Sequence, residues 1–339
     1  MPVLNTDALI TNRVETIRKY HSDAGIARAE LDVSGGIDSA VMLMLLVKAL
    51  GPDNVTAAYQ GINSSTESRD RARLVAKAAG VKLLELELGD IFEAIGLEAM
   101  RAFGAAGFDT DKIVKFMEGD ASVDGSLRST LRAPVGRYVN RMSGGGIRHG
   151  TGNECEDRWL RFYQKGGDGE VDTNPLAMLS KGEVYQLAVA LKVPTEIITA
   201  LPTPDLWGVG EEHNDESELL KSSGVPWTYS RVNPETGEYM RVGTIERMSR
   251  LLDEPVATHV IIGDYPTIGD WLFGPLFLGN MNLRLVELFE KFGVTVEHLD
   301  SARKWERITR HKMNPNCPSL GSRQELLDAG IITNELPAL

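Results

Sequence analysis

Cysteine is almost missing from this chain: Cys155 and Cys317 are the only two among 339 residues, and they form no CxxC pair. A disulfide framework and a thiolate-bound zinc are therefore excluded as organising devices. Long hydrophobic runs are missing as well. The longest wholly apolar stretch, Ala40 to Val47, falls far short of the roughly 20 residues that cross a bilayer. The N-terminal stretch MPVLNTDALITNRVETIRKY carries acids and no apolar segment of the signal-peptide kind, so the expected compartment is cytoplasmic, with no membrane partner. A basic surplus is absent too: 48 acidic residues against 36 basic ones give a net charge of −12. Proteins that grip nucleic acid usually carry clustered positive charge, so a small-molecule substrate is favoured over a polynucleotide. What remains is ordinary for a globular protein, 42% hydrophobic and 25% charged.

The patterning alternates strand and helix. Asn5 or Thr6 caps a helix running to about Tyr20, with Leu9, Ile10, Val14 and Ile17 on one face. AELDV is a strand, although Asp32 is out of place in a segment expected to be buried. An apolar helix (39–50), a strand (54–60), a helix capped by Ser65 or Thr66 and stopped by Gly80, and a third strand (81–88) follow. This order predicts an α/β fold, a doubly wound parallel sheet with helices on its faces. Residues 104–150 are poorly patterned, with a helix expected from about Ser126 to Met142 and another through Asp157–Tyr163. SKGEVYQLAVALK is a helix ended by Pro194, LPTPDLWGVGEEHNDES a mobile loop, NPETGEY a hairpin, and Met281–Phe292 a helix. DWLFGPLFLG reads as core more readily than as interface. The expectation is one domain over 1–339, with 220–310 as a C-terminal elaboration.

The stretch LDVSGGIDSAVMLMLLVKAL, Leu31 to Leu50, carries the first chemistry. A strand that stops at SGG and restarts as a helix aims several free backbone N–H groups at one spot, with the helix polarity behind them. Gly35 and Gly36 let a phosphate approach the main chain, and the Ser34 and Ser39 hydroxyls add donors. Asp38 repels an anion but can hold a Mg²⁺ that binds one. The loop has no lysine, so it is not GxxxxGK[ST]. SGGxDS is the form found in PP-loop enzymes, which split ATP between its α- and β-phosphates.

GTGNECE, KGGDGEVDTNP, LSKGEVY, PTPDLW and RHKMNP follow SGGIDSA in that order. Together, from about Ile26 to Pro315, they resemble the ammonia-dependent NAD synthetase family of PP-loop ATP pyrophosphatases. The resemblance implies the Rossmann-like sheet of the adenine nucleotide alpha hydrolase type, and adenylation of the deamido-NAD carboxylate by ATP. Ammonia then displaces AMP. Thr151, in a Gly-Thr-Gly turn, suits a phosphate or nucleoside oxygen, and Glu156 is a second carboxylate for Mg²⁺ beside Asp38. Lys181 is placed to neutralise phosphate charge, the role of the matching family lysine. By the same resemblance, Lys165, Asp168 and Asp172 face the pyridine side of the acceptor with Arg132, Asp205 belongs to a closing loop, and His311 and Lys312 return to the nucleotide. Asp38, Lys181 and Lys165 are the expected catalytic set. Cys155 is not, because the reaction needs no side-chain nucleophile. Thirty-three residues precede SGGIDS, so no attached glutaminase domain is expected, and ammonia comes free or from a separate glutaminase partner. The family also implies a homodimer.

Departures from the family pattern cluster on one side. Where an asparagine and an arginine are usual on the helix before GTGN, Ser126 and Thr130 stand, and only Arg132 is kept. Gly166 replaces an aromatic, Gln164 a threonine, and GGIRH an apolar strand. The ATP and metal positions are kept while those near the acceptor change. Two acceptors therefore stay open, deamido-NAD and a different carboxylic acid. A PP-loop binding protein without catalysis is opposed by Asp38 and Glu156.

Overall fold

The structure is a computed structural model that describes residues 5–120, 122–203, 214–255, 267–273, 283–313 and 321–335. Its centre is a four-stranded parallel sheet of β1 (Ala29–Asp32), β2 (Val55–Gly61), β3 (Leu83–Glu87) and β4 (Ile147–His149), in spatial order β3-β2-β1-β4. The chain steps outward from β1 to β3 and then returns to lay β4 on the other side of β1. Strand order thus reverses between β1 and β4, and crevices at such reversals are where open α/β sheets hold ligands.

Helices α1 (Thr6–Ala24), α2 (Ile37–Leu50) and α3 (Thr66–Ala79) precede α4 (Gly89–Ala105), α5 (Thr110–Gly119) and α6 (Ser122–Met142). A one-turn α7 (Glu154–Asp157), α8 (Lys181–Ala190) and a short α9 (Thr195–Ile198) follow β4. Asn5 and Ser65 cap α1 and α3 with their side chains, and Gly80 ends α3 in the left-handed conformation. α2 is buried on almost every side, between the sheet, α1 and α8, which accounts for its continuous apolar run. Ala29, Leu31 and Val33 join that core, while Glu30 and Asp32 alternate to the opposite face, covered by α6.

Two expectations change. The poorly patterned stretch holds α4, α5 and a longer α6, whose buried face is made mostly of small or polar residues (Gly125, Ser129, Ala133, Gly136) that leave no hydrophobic period to read. The helix expected through Asp157–Tyr163 ends at Asp157, and Arg161 has φ of 47°, which no helix continues through. Trp159 and Leu160 are instead buried in a second apolar core.

That core belongs to the C-terminal elaboration, which adds α10 (Asp215–Ser223), the antiparallel hairpin β5 (Arg231–Val232) and β6 (Tyr239–Arg241), α11 (Thr244–Asp253), α12 (Ile268–Phe273), α13 (Leu283–Phe292) and α14 (Val296–Thr309). The hairpin and the later α15 (Arg323–Asp328) pack instead on the first core through Val232, Tyr239 and Leu326. Trp159 packs on Trp227, and its indole donates to Ser249 Oγ at 3.1 Å. Arg250 grips the buried Glu154 with both guanidinium nitrogens, at 3.1 and 2.5 Å. Burial alone would raise the Glu154 carboxyl; Arg250, Arg323 and Arg158 hold it down at about 2. The elaboration is therefore bolted to the turn after β4. In DWLFGPLFLG, Trp271 and Leu272 are buried in this core, and 274–279 lie outside the described residues, as does the stretch 204–213 expected to be a loop. Among the described residues no helix is long and apolar enough to cross a membrane.

Candidate active site

β1 ends at Asp32 and α2 begins at Ile37, so SGG spans the gap. Gly35 has φ of 82°, and a Cβ there would lie 2.2 Å from the Ser68 carbonyl oxygen, so only glycine fits. Gly36 is the N-cap of α2 and makes no side-chain cap bond, which leaves the first N–H groups of the helix for an anion. Ser34 and Ser39 hydroxyls meet at 3.2 Å, and Ser39 donates to the Gly36 carbonyl at 3.0 Å. Arg71 of α3 closes the other side, its Nε donating to the Gly35 carbonyl at 3.1 Å.

The loop opens on a cavity of about 450 Å³ at the carboxyl ends of β1 and β4. Lys181, the first residue of α8, reaches its floor because Ser180 and Glu183 fix the helix start in a reciprocal capping box. Its Nζ donates to Asp38 Oδ2 at 2.6 Å and to Glu156 Oε1 at 2.8 Å, and it stands 5.2 Å from the centre of the Tyr229 ring. Asn153 Nδ2 donates to the other Asp38 oxygen at 3.0 Å. Burial works against the Lys181 charge, but Asp38 and Glu156 overcome it and push the ammonium well above its ordinary range. Burial raises the Glu156 carboxyl, with Lys181 opposing. Two carboxylates side by side are hard oxygen donors of the kind Mg²⁺ takes, and their surplus negative charge fits a divalent cation. Among the described residues no third acid or histidine joins them at metal spacing, so phosphate oxygens and water would complete the shell.

Thr151 lines the same cavity from the turn after β4. Arg132 lines it from α6, with Nε donating to the Gln60 carbonyl at 3.2 Å. Asp168 lines it too, but its Oδ1 accepts from Gln164 N at 2.8 Å and Ser129 Oγ at 3.0 Å and so shapes its own loop. Lys312 Nζ donates to the Arg161 carbonyl at 2.9 Å and to that of Tyr163, tying the C-terminal turn to the cavity rim.

Lys165 is exposed and does not line the cavity. Asp172 does not either: Arg137 holds one oxygen at 2.6 Å and the Arg148 N–H the other at 2.8 Å, which pins the chain along β4. His311 lies in the turn Arg310–Met313 with its side chain outside the description, and Asp205 lies outside the described residues.

Several groups at the site escaped the sequence. Arg148 of β4 stands in register with Glu30 of β1 and binds it at 2.6 Å, while its other nitrogen binds Asp32. A Cβ on Gly136 of α6 would lie 1.9 Å from that guanidinium, so the glycine makes its room. Burial pushes the Glu30 carboxyl up to about 8, with Asp32 adding to it and Arg148 opposing. Both Asp32 and Arg148 reach the cavity. Asp215, at the start of α10, lines it as well, 7% exposed, with its carboxyl raised to about 7 chiefly by burial. The signals for the first group were present, an acid in one strand and a base in the neighbouring one. Asp215 falls inside LPTPDLWGVGEEHNDES, the acidic stretch expected to be a loop, and the structure instead begins α10 there.

A parallel sheet whose reversal point carries a lysine-free SGGxDS loop and an acid–lysine–acid floor defines a PP-loop ATP pyrophosphatase. Within that class the chain belongs to the NAD synthase family, which matches residues 9–225. It is 32% identical over 215 residues to an NH(3)-dependent NAD(+) synthetase of Alkaliphilus oremlandii, covering 63% of this chain and 81% of that one. The NH(3)-dependent NAD(+) synthetase of Methanocaldococcus jannaschii is 33% identical over 213 residues, 62% of this chain and 75% of the relative. The fold is similar along nearly the whole chain to an NMN synthetase from Francisella tularensis, with a TM-score of 0.61 at 20% identity, covering 93% of this chain and 100% of that one. Membership brings the general chemistry of the family, ATP-dependent amide ligation.

Proposed function

We propose that this chain adenylates the nicotinate carboxylate of deamido-NAD with ATP and Mg²⁺, then amidates it with ammonia. The observation that supports this most is the Asp38–Lys181–Glu156 cluster facing the uncapped start of α2. In the first step a carboxylate oxygen attacks the α-phosphorus, the bond from that phosphorus to the bridging oxygen breaks, and pyrophosphate leaves. In the second, ammonia attacks the acyl carbon, the bond to AMP oxygen breaks, and a proton is released. The N–H groups of α2 with Ser34 and Ser39 hold the phosphates, and Lys181 exchanges a carboxylate for the departing charge. When bound by Asp38 and Glu156, Mg²⁺ supplies neutralisation of the triphosphate. Arg132 and the loop shaped by Asp168 bound the acceptor, with Lys165, Asp172 and Asp205 in supporting roles. A homodimer, fed by free ammonia or a separate glutaminase, completes the scheme.

A mononucleotide bearing the same carboxylate is the second acceptor. It is favoured by the full-length likeness to the NMN synthetase and by Thr130 and Gly166, where dinucleotide contacts are altered. Pyrophosphate release and amide formation, measured with ATP, ammonium and a panel of acids, separate the two. Turnover of deamido-NAD and loss of at least about 100-fold in Asp38→Ala are expected. Turnover of an unrelated acid alone overturns the acceptor; no pyrophosphate with any acid overturns the ligase.

A further inference from the structure

Asp215 carries an anomaly that phosphate and metal binding do not resolve. Its Oδ1 is buried without a hydrogen-bond partner, although the residue lines the cavity. The hydroxyl of Tyr229, on a fully buried ring, also lacks a partner. The two sit on one scaffold: Asp215 N donates to the Pro202 carbonyl at 3.0 Å, and the neighbouring Glu216 accepts from Tyr229 N at 2.9 Å. Leaving a carboxylate oxygen and a phenol dry and unpaired is costly, and native structures normally satisfy such groups. The Mg²⁺ site proposed above uses Asp38 and Glu156, and among the described residues no third acid joins them at metal spacing, so Asp215 stays outside it. The surrounding charge still asks for a cation. Asp38, Glu156 and Asp215 are three carboxylates around one ammonium, that of Lys181, which the first two already occupy.

We infer that Asp215, with the Tyr229 hydroxyl, is the docking point for the ammonium co-substrate. Ammonium is small, cationic and made only of N–H donors, so one ion supplies both orphaned oxygens with a hydrogen bond. The carboxylate recognises the charge and the phenol oxygen accepts a second N–H, beside the apolar second core in which the Tyr229 ring is buried. Asp215 is thus a substrate-binding residue facing the floor that holds Asp38, Lys181 and Glu156.

The inference rests on the ammonia-using reaction, and its test has an arm that does not. In thermal unfolding of the full chain, ammonium chloride raises the midpoint saturably over sodium chloride at equal ionic strength, and Asp215→Asn abolishes that difference. An equal ammonium effect in both proteins, or none in the wild type, overturns the site whatever acid the enzyme uses. In steady-state turnover, Asp215→Asn raises the KM for ammonium at least tenfold and that for ATP less than twofold, and Tyr229→Phe raises the ammonium KM by a few-fold. A matching rise in the KM for ATP, or for Mg²⁺, overturns it by placing Asp215 with the nucleotide. Loss of turnover with every acid in the wild type, alongside the ammonium-specific thermal shift, instead overturns the ligase reading and leaves the cation site standing.

Discussion

Two clusters of the same composition flank the cavity, each with two acids around one base. On the floor Lys181 lies between Asp38 and Glu156; under α6 Arg148 lies between Glu30 and Asp32. They differ in how the surplus negative charge is discharged. The acids of the floor come from a helix start and a turn, with side chains 15% and 18% exposed, so a divalent cation can reach them. Lysine suits that place, because its ammonium is a point charge on a flexible stem. Glu30 is fully buried, and the Arg148 fork is fixed by both acids, the Glu170 carbonyl and the walls that Gly136 leaves. Asp32 opens on the cavity with its side chain 29% exposed, but Glu30 behind it is sealed from cations, so burial pushes Glu30 up to about 8 and a proton neutralises that acid. One is built to exchange partners and the other to keep them.

Substitutions of the two bases break this contrast most directly. Lys181→Met is expected to lower pyrophosphate release by 10²–10³-fold, about 3–4 kcal/mol of transition-state stabilisation. Its folded form should also gain more from Mg²⁺ than the wild type does, since two carboxylates are left facing each other. Denaturant titration with and without Mg²⁺ checks the second point. Arg148→Met should instead lose about 3 kcal/mol of stability, the lower end for a broken buried pair because Glu30 can keep its proton. Adding Asp32→Asn should return part of that loss, and Mg²⁺ should return none. If Arg148→Met were rescued by Mg²⁺, the distinction between the clusters would collapse. Gly136→Ala should cost about 1–3 kcal/mol through overpacking against the guanidinium, read as a lower unfolding midpoint.

The floor was legible and the other wall was not, for a physical reason. Ser34, Gly35, Gly36, Asp38, Thr151, Glu156 and Lys181 sit in loops and helix starts, where short motifs record the chemistry, and the structure gathers them round one cavity. Glu30, Asp32 and Arg148 come from strands joined only across the sheet. Asp32 and the GGIRH strand each read as an oddity, and it takes the β1–β4 register to show that each explains the other. Asp172, placed near the acceptor by the resemblance, is spent on Arg137 and the Arg148 N–H. The parallel sheet with helices on its faces followed from alternation, its strand order did not, and neither did α4 and α5. α4 and α5 bury no residue fully, and apolar side chains such as Ile91, Leu97 and Phe116 stand exposed on them, so no contact with the core marks these helices. The second core was equally hidden, since Trp159 and Leu160 enter it from a segment that reads as helix.

The smallest expected effect is the most specific to the closed cluster. His149 follows Arg148 on β4, stacks on His21 with Nε2 atoms 3.0 Å apart, and is pushed down to about 3, first by burial and then by His21. Below its unfolded value of about 6.5 the unfolded chain takes a proton that the folded chain refuses, so this group makes stability fall on acidification. Glu30 acts with the opposite sign. Its folded form holds a proton up to about 8 while the unfolded group releases it above about 4.5, so its contribution grows as the pH falls toward 4.5. Between those unfolded values the two slopes, each about 1.4 kcal/mol per pH unit, oppose each other. Glu30→Gln removes one of them. Between pH 6 and 5 the variant should therefore lose about 1 kcal/mol more stability than the wild type, measured by urea titration at each pH. A variant whose pH profile runs parallel to the wild type would mean that Glu30 is ionised beside Arg148. The surplus charge would then be held there without a proton, and the two clusters would differ only in access.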